Sequence, residues 1–243
     1  MNNIYIYNNT LISMLNLIDF LIQNNIIPNN IKNNFYTPTL FDNIIKLNIM
    51  NKININKIDN IIFKYIYDVF ISTDKNKELI IYYFYKNYLK YGLKTINMYN
   101  LKCVLNTIKI SKYVRNEAHK YKGFIRFKEL KNNLLYAEIE PINNILEIVS
   151  NHFKNRLKYE YWIIKDIKHN LISIYNKKDY FIIDSNDFLL LDNNICDNEK
   201  KYENLWKDFY KTISITERKN EKCRMNFMPK RYWKYITEMR DKI

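Results

Sequence analysis

Glycine is nearly absent: the 243-residue chain has two, Gly92 and Gly123. A Walker A loop needs two glycines within one loop and a dinucleotide fingerprint needs three, so neither phosphate cradle can be built. Cysteine is also scarce. Cys103, Cys196 and Cys223 are odd in number and form no CxxC pair, which excludes a cysteine-held zinc or iron–sulfur centre. The same usage fits a reducing, cytoplasmic compartment. No apolar run reaches the roughly 18 residues of a membrane span, and Met1–Thr10 does not read as a signal peptide. The three histidines show no HxxxH or HxH spacing, so no metal and no cofactor are expected.

Positive charge is plentiful. The formal balance is +14, from 39 Lys and Arg against 25 Asp and Glu. Isoleucine and asparagine each make up about a sixth of the chain, well above ordinary usage. That bias suggests codon drift in an AT-rich genome, and drift alone could supply surface lysines. The distribution argues for more. Windows 102–131 and 199–243 together hold 13 of the 14 net charges, which points to a polyanion partner, with DNA foremost.

Apolar periodicity predicts a short strand at Asn3–Tyr7 and a helix over Leu11–Asn24 capped by Thr10. After an extended connector at Phe35–Asp42 comes a possible strand at Ile44–Ile49. Helices follow near Ile53–Phe70, Lys75–Tyr91 and Tyr99–Lys120, with Gly123 as the breaker. Strands are expected at Phe124–Leu130 and Leu134–Glu140 around the turn Lys131-Asn132-Asn133, then a helix at Asn144–Arg156. Tyr161–Ile167, Leu171–Tyr175 and Tyr180–Ile183 read as further strands. Asp184–Asn198 reads as a loop or linker, and Glu199–Ile213 and Pro229–Arg240 as helices. The class is α+β: a helical N-terminal half, a central mixed or antiparallel sheet, and a helical C-terminal segment. One domain over 1–243 is expected, with a possible subdivision into 1–121, 122–184 and 199–243.

On the helix ending near Lys120, the stripe Leu101, Leu105, Ile108 continues as Lys112, Arg115 and His119. Such a stripe leaves the core with its last turns facing a groove, or simply places cations at the negative end of the helix dipole. Beyond it, Lys122 precedes Gly123, and Arg126 and Lys128 are expected on one strand face. In the second window, Lys230, Arg231 and Lys234 interleave with Tyr232, Trp233 and Tyr235. This pattern serves phosphate pairing with base stacking, or a core packed behind a wet cationic face. Arg218 lies in the same window. For chemistry, His119 with Glu138, Glu140 and Asp166 could form an acid–base constellation. The two glutamates could equally pair with Arg126 across strands.

The blocks Trp206-Lys-Asp-Phe-Tyr-Lys-Thr-Ile213, Glu217-Arg-Lys-Asn220 and Phe227-Met-Pro-Lys-Arg-Tyr-Trp-Lys-Tyr235 resemble the tail of a bacterial DNA-metabolism family. The resemblance extends upstream through Tyr5-Ile-Tyr7, Pro38-Thr-Leu-Phe-Asp42, Arg115-Asn-Glu-Ala-His119 and Lys122-Gly-Phe-Ile-Arg-Phe127. Tyr136-Ala-Glu-Ile-Glu-Pro141, His152-Phe153 and Trp162-Ile-Ile-Lys-Asp166 continue it. Two stretches depart from the family pattern: Lys165 replaces a histidine, and Arg224-Met225-Asn226 replaces a Gln-Arg-Gln run. The resemblance implies a DNA-repair protein encoded beside a radical S-adenosylmethionine protein and sometimes fused to a uracil-DNA glycosylase-like domain. A glycosylase within this chain would need Gly-rich motifs that it lacks, and CxxxCxxC for a radical cluster is missing too. Three readings remain: a non-catalytic nucleic-acid-binding component, an enzyme acting on damaged nucleic acid, or a basic face that binds the radical protein itself.

Overall fold

The computed structural model describes residues 2–47, 53–131, 133–187, 196 and 198–240. It is an α+β protein with helices toward both ends of the chain and a mixed five-stranded sheet between them. Two compact units are formed, Met1–Arg115 and Asn116–Ile243. Among the described residues no helix is long and apolar enough to cross a membrane.

In the first unit, β1 (Asn2–Tyr7) lies between β2 (Asn30–Asn33) and β3 (Asp42–Lys46), parallel to both. The sequence signals missed β2 because only Ile31 of its four residues is buried, which leaves no apolar alternation to read. Residues 34–41 carry the chain from one side of β1 to the other. Asp42 fastens their turn, accepting from Thr39 N at 2.8 Å, Thr39 Oγ1 at 2.7 Å and the Tyr36 hydroxyl at 2.9 Å. Helix α1 (Leu11–Gln23) begins at Thr10, whose hydroxyl accepts the Ser13 amide, as expected. Asp59 caps α2 (Asn60–Phe70) in the same way. Helix α3 (Lys77–Tyr91) ends at Gly92, whose φ of 61° is the left-handed conformation that glycine adopts at least cost. The core gathers Met14, Leu15 and Ile18 of α1 with Ile62 and Ile66 of α2 and Ile81 and Phe84 of α3. Burial of each such side chain contributes about 1.5–3 kcal/mol. Of the expected strand Ile44–Ile49, Asn48 and Ile49 lie outside the described residues.

The boundary between the units falls within α4 (Lys102–Phe124). Gly123 does not break this helix: the Ile125 amide still donates to Tyr121 O at 3.0 Å. A helical glycine costs only about 1 kcal/mol relative to alanine, which the flanking turns absorb. The following strand is correspondingly shorter than expected, β4 (Lys128–Leu130), and Arg126 precedes it. The second sheet has the order β4-β5-β6-β7-β8, with β5 (Leu134–Ile139), β6 (Tyr161–Asp166), β7 (Leu171–Tyr175) and β8 (Tyr180–Asp184). Only the β5–β6 pair is parallel, and its crossover holds α5 (Leu146–Arg156). That helix packs on β7, where the buried Ser150 hydroxyl donates to Ser173 Oγ at 2.7 Å. The turn residue Asn132 and most of the Asp184–Asn198 linker lie outside the described residues. Helix α6 (Glu199–Thr212) is followed by the short α7 (Glu221–Phe227).

The expected helix at Pro229–Arg240 is instead a 3-10 turn over Lys230–Tyr235. Its amides bond three residues back, Tyr232 N to Pro229 O and Ile236 N to Trp233 O, both at 3.0 Å. The Trp233 indole reaches back to Met228 O at 2.9 Å, which fixes this tighter winding.

Candidate nucleic-acid interface

Four of the cations singled out for phosphate contact have carboxylate partners. Arg115 grips the buried Asp68 with both Nε (2.9 Å) and a terminal nitrogen (2.5 Å), and Ser111 donates to the same carboxylate. In the second unit, Arg126 forks onto Glu238 at 2.7 and 3.3 Å. This corrects the expected pairing with Glu138 or Glu140. The Trp206 indole also donates to Glu238, at 2.9 Å. Burial alone would raise the Glu238 carboxyl, but the Arg126 and Trp206 hydrogen bonds outweigh it and hold it below its ordinary value.

Arg231 reaches Glu117, the hub of this unit. The carboxylate of Glu117 is buried and accepts from the Ile142 and Asn143 amides, both at 2.9 Å, and from Asn143 Nδ2 at 2.7 Å. Arg231 completes the set at 3.3 Å. Glu117 therefore ties α4 to the loop after β5 and to the C-terminal segment. Sequence reasoning gave it no role, although it is one of only two acids in the basic window 102–131. Lys234 pairs with Glu140, which also accepts from the Tyr235 hydroxyl at 3.0 Å. The Lys234 hydrogen bond lowers Glu140, and the same bond raises Lys234 to about 12.

Tyr232 and Trp233 are 1% and 3% exposed. Tyr232 meets the Tyr121 ring edge-on at 5.1 Å and Phe124 at 5.3 Å, while Arg224 and Lys230 lie over Trp233. Neither ring is open to a base in this structure.

The acid–base constellation is not assembled. His119 is exposed and no hydrogen bond joins it to Glu138, Glu140 or Asp166. Glu138 accepts from the Tyr136 hydroxyl at 2.8 Å. The β5–β6 register sets Glu138 against Lys165 and Ile139 against Asp166, so Glu138 and Asp166 fall on opposite faces of the sheet. Asp166 is buried and caps the β6–β7 turn, accepting from the Lys168 and His169 amides and from His169 Nδ1 at 2.7 Å. Among the described residues no group of three or more His, Cys, Asp or Glu is arranged to hold a metal.

Cations without a carboxylate partner remain. Lys112, Arg218 and Lys230 are exposed and form no ion pair among the described residues. Within the second unit, His119 and Lys122 share a face of the last turns of α4, and His152 and Arg156 lie one turn apart on α5. Burial, reinforced by the positive charges of Lys122 and Arg156, holds the His152 imidazole below its ordinary value. Its Nε2 is buried without a hydrogen-bond partner.

A separate cleft of about 660 Å³ lies along α6, lined by Phe127, Tyr202, Trp206 and Phe209 with Glu129, Glu199 and Glu203. No side chain of α6 is fully buried.

A family model described as a domain of unknown function, DUF4130, matches residues 75–238. No curated protein and no solved structure matches the chain significantly.

Proposed function

The chain belongs to the DUF4130 family, and from that premise we propose that it is a nucleic-acid-binding component of DNA repair or DNA metabolism. The observation that carries this reading is the cationic group of Lys122, His152 and Arg156. Lys122 and Arg156 are each close enough to act on the charge of His152, and neither is neutralised by an acid among the described residues. A site that leaves like charges together and unpaired is stabilised by an anion, and DNA supplies closely spaced ones. The radical S-adenosylmethionine protein implied by the resemblance is then the partner that supplies the chemistry. Reading the chain itself as the enzyme gains no support from the separated His119, Glu138, Glu140 and Asp166.

Titration of binding to duplex DNA against salt tests the proposal. A log–log slope near −0.9 per phosphate contacted is expected. Lys122→Glu combined with Arg156→Glu should weaken binding at low salt and flatten that slope by about two contacts' worth. Binding indifferent to salt, or unchanged in the double variant, would remove the basis of the reading. Arg231 is unsuitable for this test because its substitution also disturbs Glu117. Copurification with the radical protein, and assays of the pair on lesion-bearing oligonucleotides, address the partner.

A further inference from the structure

The start of β6 and the β7–β8 turn bring together a second set of rings and cations that the charge windows did not include. Tyr159 and Tyr161 are 72% and 48% exposed, among the open rings of the described residues. The Lys158 ammonium lies 4.7 Å from the Tyr159 ring centroid, and that of Lys177 lies 4.3 Å from Tyr161. Strand register explains the second contact. Trp162 pairs with Tyr175, so Tyr161 stands beside Asn176, and the turn folds Lys177 back over it. Lys177 has a φ of 70°, a left-handed conformation held by Asn176, whose side chain accepts the Lys178 and Asp179 amides at 3.0 and 2.9 Å.

The segment carrying the rings is fixed from below. The Tyr175 hydroxyl donates to Lys158 O at 3.3 Å, the Glu160 amide donates to Leu157 O at 3.1 Å, and Tyr175 stacks on buried Trp162 at 5.0 Å. The rings are therefore exposed but anchored, so ordering them on a ligand costs little entropy. Neither Lys158 nor Lys177 forms an ion pair with a carboxylate among the described residues, and the nearby Asp179 is engaged by Lys154 at 2.9 Å. The patch is thus complementary to an anion that also has flat apolar faces.

We propose that Tyr159 and Tyr161, flanked by Lys158 and Lys177, form a stacking platform for unpaired bases of single-stranded DNA. The platform rests on the nucleic-acid reading above and gives it a substrate form. Bases inside a duplex have no free face for these rings, whereas a single strand can stack its bases and set its phosphates beside the lysines. Phe181, 57% exposed, lies on the same sheet face as Tyr161. Phe181 stands two strands across and two residues along from Tyr161, about 12 Å away, which extends the apolar surface across the sheet.

The test is fluorescence anisotropy of the full chain with a labelled oligo-dT and with a duplex of equal length. Tyr159→Ala combined with Tyr161→Ala should weaken oligo-dT binding by roughly 5- to 150-fold per ring engaged. Duplex binding should stay within about twofold and the melting temperature should not move. Tyr→Phe at both positions should retain the affinity, because stacking needs the ring and not the hydroxyl. The platform is overturned if the Ala pair binds oligo-dT like the wild type, or if it loses duplex binding to the same extent. Tighter binding of oligo-U than of oligo-dT would overturn the assignment to DNA. A wild-type chain that binds duplex but not single strands defeats the platform alone, while one that binds neither defeats the nucleic-acid reading with it.

Discussion

The FMPKRYWKY segment and the Lys158–Tyr161 segment have the same ingredients, rings interleaved with cations, and the fold uses them in opposite ways. In the first, Tyr232 and Trp233 are buried and Arg231 and Lys234 are neutralised by Glu117 and Glu140. In the second, Tyr159 and Tyr161 face solvent and Lys158 and Lys177 lie against rings. The first segment has the structure of a clasp and the second that of a surface. A cation-aromatic pattern therefore reports a function only once the positions of the acids are known.

The contrast can be broken most severely at the rings. Trp233→Ala should destabilise the protein by about 3–5 kcal/mol, the range for truncating a buried aromatic, whereas Tyr159→Ala should stay within about 0.5 kcal/mol. Chemical denaturation of both variants measures the difference, and equal losses would erase the distinction drawn between the segments. Next in size is the hub. Glu117→Ala removes one acceptor shared by Arg231 and the Asn143 donors and should cost about 3 kcal/mol, near the lower end for breaking a buried pair, because Arg231 is itself partly exposed. A loss below about 1 kcal/mol would show that the clasp does not depend on it.

The smallest effect belongs to Lys234 and Glu140, both substantially exposed. Such a pair contributes about 0.2–1 kcal/mol. Glu140 is lowered by Lys234, so its contribution is present above the unfolded carboxyl value and disappears as pH falls through the folded one. Lys234 is raised to about 12, so its contribution is present below the ordinary lysine value and disappears as pH rises toward 12. Lys234→Ala should therefore flatten the stability profile slightly at both extremes and leave the neutral region nearly parallel to the wild type. A variant whose acid limb is unchanged would place the stabilisation of Glu140 elsewhere.

Much of the fold was legible. Helices α1, α3 and α6 lie where they were expected, α2 starts at Asn60 rather than Ile53 because Asp59 caps it and only a 3-10 turn at Ile55–Lys57 precedes it, and Thr10 caps α1 because a hydroxyl there meets a free amide wherever the helix forms. Strands β6, β7 and β8 were legible from short apolar runs between turn residues. Gly123 misled because glycine weakens a helix without obliging it to stop, and the C-terminal winding was hidden because α and 3-10 turns share the same local residues. The site was less legible. Its tied cations and its open ones look alike along the chain, and Glu117 and Glu238 gain their meaning from partners 114 and 112 residues away.

By itself the sequence determined the α+β class, the positive charge and the exclusion of glycine-built phosphate loops, since each follows from composition or local periodicity. Only the tertiary structure decided which cations are neutralised, which rings are buried, and that Glu138 and Asp166 stand on opposite faces of one sheet. Ion pairing and burial depend on through-space distances of a few ångströms, and those distances are set by packing between segments that the sequence keeps far apart.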